Sequence, residues 1–280
     1  MKMSRYLTRV FTIVAILLAG GCGGADNNGS ASMPATTSSS HTAPPVVAEG
    51  VAGNSTISRD ARLEGYAKAS SVWPSTTIKV CWVMEPAEFA SSEEQRLVVQ
   101  RAVAETWSSV SQVRFTSWGR CTGYYADGDI KIAVEDSYFQ GPRAYIGTQG
   151  YPGSPTMWLN FKFESWPCYR GINECTRIVA IHEFGHALGF VHEQLRPDTP
   201  SSPPPDSTIS QVVWDDCRAP RNDPTGDTMI GAWDLYSVMN YCNPKWMGEG
   251  KLSATDIAMA QKFYGVPVNI VPVIAMLLYE

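Results

Sequence analysis

The sequence predicts an α+β fold: a mixed sheet backed by two helices, followed by a less regular half tied together by disulfides. Three observations predict it. Up to about residue 190 the patterned segments run strand, helix, several strands, helix, an order that suits one sheet with helices packed against it. Beyond residue 190 the chain is rich in proline and less regular. Six cysteines, Cys81, Cys121, Cys168, Cys175, Cys217 and Cys242, follow what reads as an export signal, an even number in a chain bound for an oxidising compartment. Sequence alone does not choose their pairing, but closeness along the chain favours Cys81 with Cys121, Cys168 with Cys175, and Cys217 with Cys242.

Residues 1–22 form the export signal. Lys2, Arg5 and Arg9 lead into "VFTIVAILLAG", little more than half the roughly 20 apolar residues that a membrane span needs. Leu18 to Gly21, just before Cys22, resemble the lipobox of bacterial lipoproteins, with Ala19 where leucine is commonest. The resemblance implies that Cys22 is lipidated and becomes the new N-terminus. Gly23 in place of aspartate implies sorting to an outer membrane, where the source has one. An ordinary signal-peptidase site is the alternative.

Residues 23–70 are dominated by Ser, Thr, Ala, Gly, Pro and Asn, with too few large apolar side chains to offset the entropy of ordering them. They are expected to form a tether or a short propeptide, and His41 within them is expected to be solvated and without a role. The folded domain is expected over 71–265, with order starting near Trp73. In "TTIKVCWVM" the residues Ile78, Val80, Trp82 and Met84 alternate as in a half-buried strand. Ser91 and Ser92, three residues ahead of Glu94 and Gln95, read as a capping box for a helix that carries Val99, Ala102, Val103, Thr106, Trp107 and Val110 on one face. Strands are expected at "VRFTSW", "DIKIAVE" and "TMWLNFKF", the last with Met157, Leu159, Phe161 and Phe163 on one side. The tail, 266–280, is apolar but short and broken by Pro267 and Pro272, so it is expected to pack on the domain.

With 44% hydrophobic and 18% charged residues the chain has a core to bury, and its net charge of -5 contains no basic run that would hold phosphates. Nucleic acid is therefore not an expected partner. The chemistry lies in "CTRIVAIHEFGHALGFVHEQLRP", residues 175–197. Ile178, Ile181, Ala187 and Leu188 give the segment a helical period, which sets His182 and His186 one turn apart on one face. His192 is roughly 600° further round the same helix and would point away, so the helix must end between them. Gly189 is the residue type that takes the left-handed conformation and turns the chain back. Three imidazoles leave a tetrahedral zinc ion one position for solvent, the arrangement of a catalytic site. Glu183, beside His182, is placed to act as general base on that solvent and then as acid toward a leaving amine. A lone histidine on an apolar helix is more often a packed core residue. Here three of the four histidines in the chain fall within eleven positions, and no packing demand explains that clustering.

"HEFGHALGFVHE" fits the extended zinc signature of the metzincins at every fixed position, and within them the chain most resembles the astacins, sharing Phe190 after Gly189 and Glu193 after the third histidine. That resemblance implies a zincin fold: a mainly parallel sheet with two helices in an upper part, an irregular disulfide-tied lower part, and the site between them. It implies a zinc-dependent endopeptidase acting on proteins or peptides. "RAYIGTQG" resembles the family's edge strand, which implies that Tyr145, Ile146 and Gly147 line bound substrate. "YSVMNYC" resembles its Met-turn, which implies Met239 beneath the histidines and Tyr241 as an additional zinc ligand that moves to stabilise the oxyanion. Glu193 is then a structural carboxylate. Asn240 stands where the family usually has histidine, and "PDTPSSPPPD" replaces an acidic and basic run. The expected partners are a protein or peptide substrate and, through Cys22 alone, a membrane; the chain is expected to be a monomer, exported and lipid-anchored or released from its anchor. A zinc amidase acting on cell-wall peptides and a zinc-bearing binding lipoprotein without activity are the other readings.

Overall fold

This computed structural model describes residues 65–268, except 124–127, 166–167, 206 and 220–223. The expected signal with Cys22, the tether as far as residue 64, and residues 269–280 of the tail lie outside the described residues.

The folded part starts before residue 71. Strand β1 (Gly65–Ala67) pairs antiparallel with Thr228–Ile230, and a 3-10 turn follows at Ala69–Ser71. All three strand residues are buried, so the segment shows none of the in-out alternation by which a strand is read from sequence. Strand β2 (Thr77–Trp82) follows, with Ile78, Val80 and Trp82 turned to the core.

Helix α1 (Pro86–Ser91) runs directly into α2 (Glu93–Glu105). For this reason the expected capping box does not form. The Ser92 hydroxyl donates backwards to the Glu88 carbonyl at 2.8 Å and makes no cap bond to α2. The helical face is also interrupted. Thr106 Oγ1 donates to the Ala102 carbonyl four residues back (2.6 Å), the backbone departs from helical angles at Thr106, and a separate turn, α3 (Trp107–Val110), carries Trp107 into the core.

Strand β3 (Arg114–Arg120) and β4 (Ile130–Val134) lie parallel to β2 on either side of it. The α1–α3 crossover supplies the length that a parallel connection requires. Strand β5 (Arg143–Ala144) and β6 (Met157–Leu159) complete a sheet of order β3-β2-β4-β6-β5, in which only β5 runs antiparallel. The sheet is mixed and mainly parallel, as predicted. Strand β6 is shorter than its pattern suggested: Phe161 and Phe163 are buried beside Met157 and Leu159, but Phe163 has φ 57° and the chain has already left the sheet.

Helix α4 (Ile172–Ala187) packs against α2, buried from Cys175 onward apart from Arg177. Past residue 190 come α5 (Gln211–Cys217), β7 (Thr228–Ile230) and α6 (Ala254–Tyr264), separated by turns. The three disulfides are Cys81–Cys121, Cys168–Cys175 and Cys217–Cys242, the pairing that chain proximity favoured. Val266 and Val268 are exposed, which differs from the packing expected of the tail at these two positions. No helix among the described residues is long and apolar enough to cross a membrane.

Candidate metal centre

Helix α4 carries His182, Glu183 and His186 into the interior, where all three are buried. The helix closes at Leu188, and Gly189, with φ 99°, reverses the chain. Its last carbonyls are capped by side chains from distant parts of the domain: the Trp73 indole donates to the Ala187 carbonyl (2.6 Å) and the Tyr264 hydroxyl to that of Leu188 (2.7 Å). The reversal delivers His192 to the first two histidines. His192 Nε2 lies 3.2 Å from His182 Nε2 and 3.0 Å from His186 Nε2, and one ligand atom from each of the three falls within 4.8 Å of the others.

The second nitrogens fix the rings. His182 Nδ1 donates to the Val238 carbonyl at 2.7 Å and His186 Nδ1 to the Phe190 carbonyl at 2.8 Å, which leaves the lone pair of each Nε2 aimed at its neighbours. Two lone pairs thus face His192 Nε2, an arrangement that a shared cation satisfies. Burial, with the adjoining His192 and His182, holds His186 well below the usual histidine range, so it stays neutral as a metal ligand must. The donor set fits a zinc ion held by His182, His186 and His192.

Glu183 follows His182 on helix α4, and its Oε2 is buried without a hydrogen-bond partner. Burial pushes its carboxyl up to about 8, against the pull of the Arg143 guanidinium. A dication bound nearby would draw it down again. Tyr241 lies over the histidines, its ring centroid 4.2 Å from that of His192 and 5.4 Å from that of His182. Met239 is buried under the helix, and a Cβ on Gly185 would collide with its sulfur. Glu193 is buried and points away from the histidines: its Oε1 accepts from the Asp234 amide (3.0 Å) and pairs with Arg196 (3.2 Å). Burial pushes its carboxyl up to about 8 despite Arg196.

Of the three residues expected to line substrate, only Tyr145 keeps a partly open side chain. Ile146 is buried with Tyr66 and Val191, and Gly147, at φ 51°, lies so close to the Ser71 carbonyl that a side chain would collide with it. The edge strand is Arg143–Ala144. Since the Tyr145 amide donates inward to Thr156 (2.9 Å), strand alternation turns the Ala144 N–H and C=O outward along the open edge.

Sequence reasoning missed several residues that hold the site. The Gln194 carboxamide accepts from the Tyr241 amide at 3.0 Å. Asp256 accepts from the Val238 amide (3.0 Å), the Ser237 hydroxyl (2.7 Å) and the Ser253 amide (2.8 Å), which fixes the turn whose carbonyl orients His182. Gly185 left a readable sign, a glycine inside a helix at a cost of about 1 kcal/mol relative to alanine.

The sequence profile of the peptidase family described as "Astacin" matches residues 67–265. The chain belongs to the astacin family. Zinc is the metal of this family, and the three-histidine cluster suits it. A curated member, the "Zinc metalloproteinase nas-2" of Caenorhabditis elegans, is 26% identical over 202 residues, a match that covers 70% of this chain and 62% of that protein. The chain thus spans less than two thirds of the length of this astacin relative. The structure of myroilysin, 22% identical, superposes with a TM-score of 0.51 over 73% of this chain and 100% of the other, and shares its fold.

Proposed function

We propose that the chain is an exported zinc endopeptidase that hydrolyses peptide bonds in extended protein or peptide segments. The observation that carries this reading is the convergence of His182, His186 and His192 beside a buried Glu183 carboxyl whose Oε2 has no partner. Zinc, when bound, supplies Lewis-acid activation of water and of the scissile carbonyl. The three imidazoles would hold it, with Tyr241 as an additional ligand. Glu183 accepts the proton of the attacking water at Oε2 and passes it to the departing amine, so the base of the first step is the acid of the second. The Tyr241 phenol, close against His192, donates to the oxygen on which negative charge develops. Substrate adds to the sheet as a further strand, pairing with the outward N–H and C=O of Ala144. Cys22 carries a lipid anchor, and a monomer is released where the tether is cut.

The test of the chemistry is Glu183→Gln. It is expected to bind zinc as the unaltered chain does while casein hydrolysis falls by at least about 100-fold. Normal cleavage by this variant would remove Glu183 as the base. Release of peptidoglycan peptides with no cleavage of casein would replace the endopeptidase by a cell-wall amidase. Mass spectrometry of the mature N-terminus decides the anchor: an unacylated chain end removes it.

A further inference from the structure

Of the three clustered histidines, His192 alone is not positioned by helix α4. We propose that Arg196 is its positioning residue, acting through Glu193 and through the Gly65–Lys68 segment. The inference rests on the zinc centre described above. Arg196 is almost fully enclosed, with a side chain 1% exposed, yet it takes no part in the proposed chemistry. Its guanidinium joins three separate stretches of chain. Nη1 donates to the Gly65 carbonyl (3.1 Å), to Glu193 Oε1 (3.2 Å) and to the Ala232 carbonyl (3.1 Å). Nη2 donates to the Gly231 carbonyl (2.7 Å), and Asp198 holds Nε and Nη2 at 2.8 Å each, which fixes the plane of the fork.

The stretch that delivers His192 is fastened on both sides of it by these same groups. Upstream, the Lys68 amide donates to the Gly189 carbonyl (2.8 Å), the Val191 amide to the Tyr66 carbonyl (3.1 Å), and Ala67 bridges to Phe190. Strand β1 is therefore paired with the turn between helix α4 and the third histidine, and Arg196 grips β1 at Gly65. Downstream, Glu193 is held by Arg196 at its carboxyl and by the Met239 carbonyl at its amide (3.0 Å). His192 sits between two anchored neighbours. Serving two carboxylates and several carbonyls at once requires the planar five-donor fork of arginine; the three-donor ammonium of lysine keeps the charge and loses most of the bridging.

The experiment measures zinc affinity by chelator competition and the visible spectrum of the cobalt-substituted chain, for the unaltered protein, Arg196→Met and Arg196→Lys. Both variants are expected to bind zinc about 10- to 100-fold more weakly, and their cobalt bands to weaken, because the third nitrogen wanders. Val99→Ala, a core truncation on helix α2 that also lowers the melting temperature, controls for stability loss alone and is expected to leave affinity and spectrum unchanged. Where Arg196→Met does not fold, Arg196→Lys carries the test. Zinc held as tightly by the folded Arg196 variants as by the unaltered chain overturns the proposal, and so does equal weakening in Val99→Ala. An unaltered chain that binds no zinc would instead sink the metal centre itself.

Discussion

Helix α4 and the chain beyond Gly189 both build the metal centre, but they are held together in different ways. The helix and the sheet beneath it satisfy most of their backbone groups with their own backbone, the last turn of α4 excepted, and are fixed by apolar contact among Ile78, Val80, Ile132, Met157 and Phe184. The later half has short elements and many turns, so its backbone groups are satisfied by side chains: Arg196 for the carbonyls of Gly65, Gly231 and Ala232, Asn240 for the Asp234 carbonyl and the Cys242 amide, Asp256 for two amides. In a regular element the loss of one side chain removes packing. In an irregular one it strips several backbone groups of their partner at once.

The contrast is broken most directly at Asp256. Asp256→Ala is expected to cost about 3 to 5 kcal/mol in urea unfolding, since two buried donors and a part-buried one lose their acceptor together. A loss under about 1 kcal/mol would mean that the later half does not depend on such side chains. Ile132→Val, fully buried in the central part of the sheet, tests the regular half. It is expected to cost about 1 kcal/mol by the same measurement and to leave zinc affinity alone. The smallest effect is one of pH. Asp227 accepts from the Ala69 amide (2.7 Å), the Ser70 amide and the Ser70 hydroxyl (2.6 Å), and these bonds hold its carboxyl down to about 2 from an ordinary 3.8. A depressed carboxylate contributes stability above its ordinary value and loses it as pH falls through the folded value. Between about pH 4 and pH 2 the unaltered chain should therefore lose stability that Asp227→Asn never had. Parallel acid-unfolding curves for the two would show that the Asp227 bonds do not fasten the start of the domain.

The same contrast explains what the sequence revealed. The alternation of Ile78, Val80 and Trp82 was readable because a strand with one buried face writes its period into the chain. The three histidines and Glu183 were readable because ligand spacing on a helix is a local property, and the disulfides because their partners are near in sequence. Strand β1 was not, since three residues buried on all sides acquire their identity from Thr228–Ile230, far along the chain. Asp256 was half readable. Its place three residues after Ser253 announces a capping box, which the structure contains, but its second attachment at Ser237 and Val238 leaves no local trace. The box expected at Ser92 failed for a related reason, because the residues before it had already formed a helix that claimed the hydroxyl.

The two caps on the last turn of helix α4 have a consequence for timing. Trp73 precedes the histidines in the chain, but Tyr264 follows them and stands near the end of the matched domain. A polypeptide emerging from a ribosome displays its whole zinc signature before the hydroxyl that finishes that turn has appeared. On this geometry, the last turn of helix α4 receives its second cap only once the chain has been made as far as Tyr264.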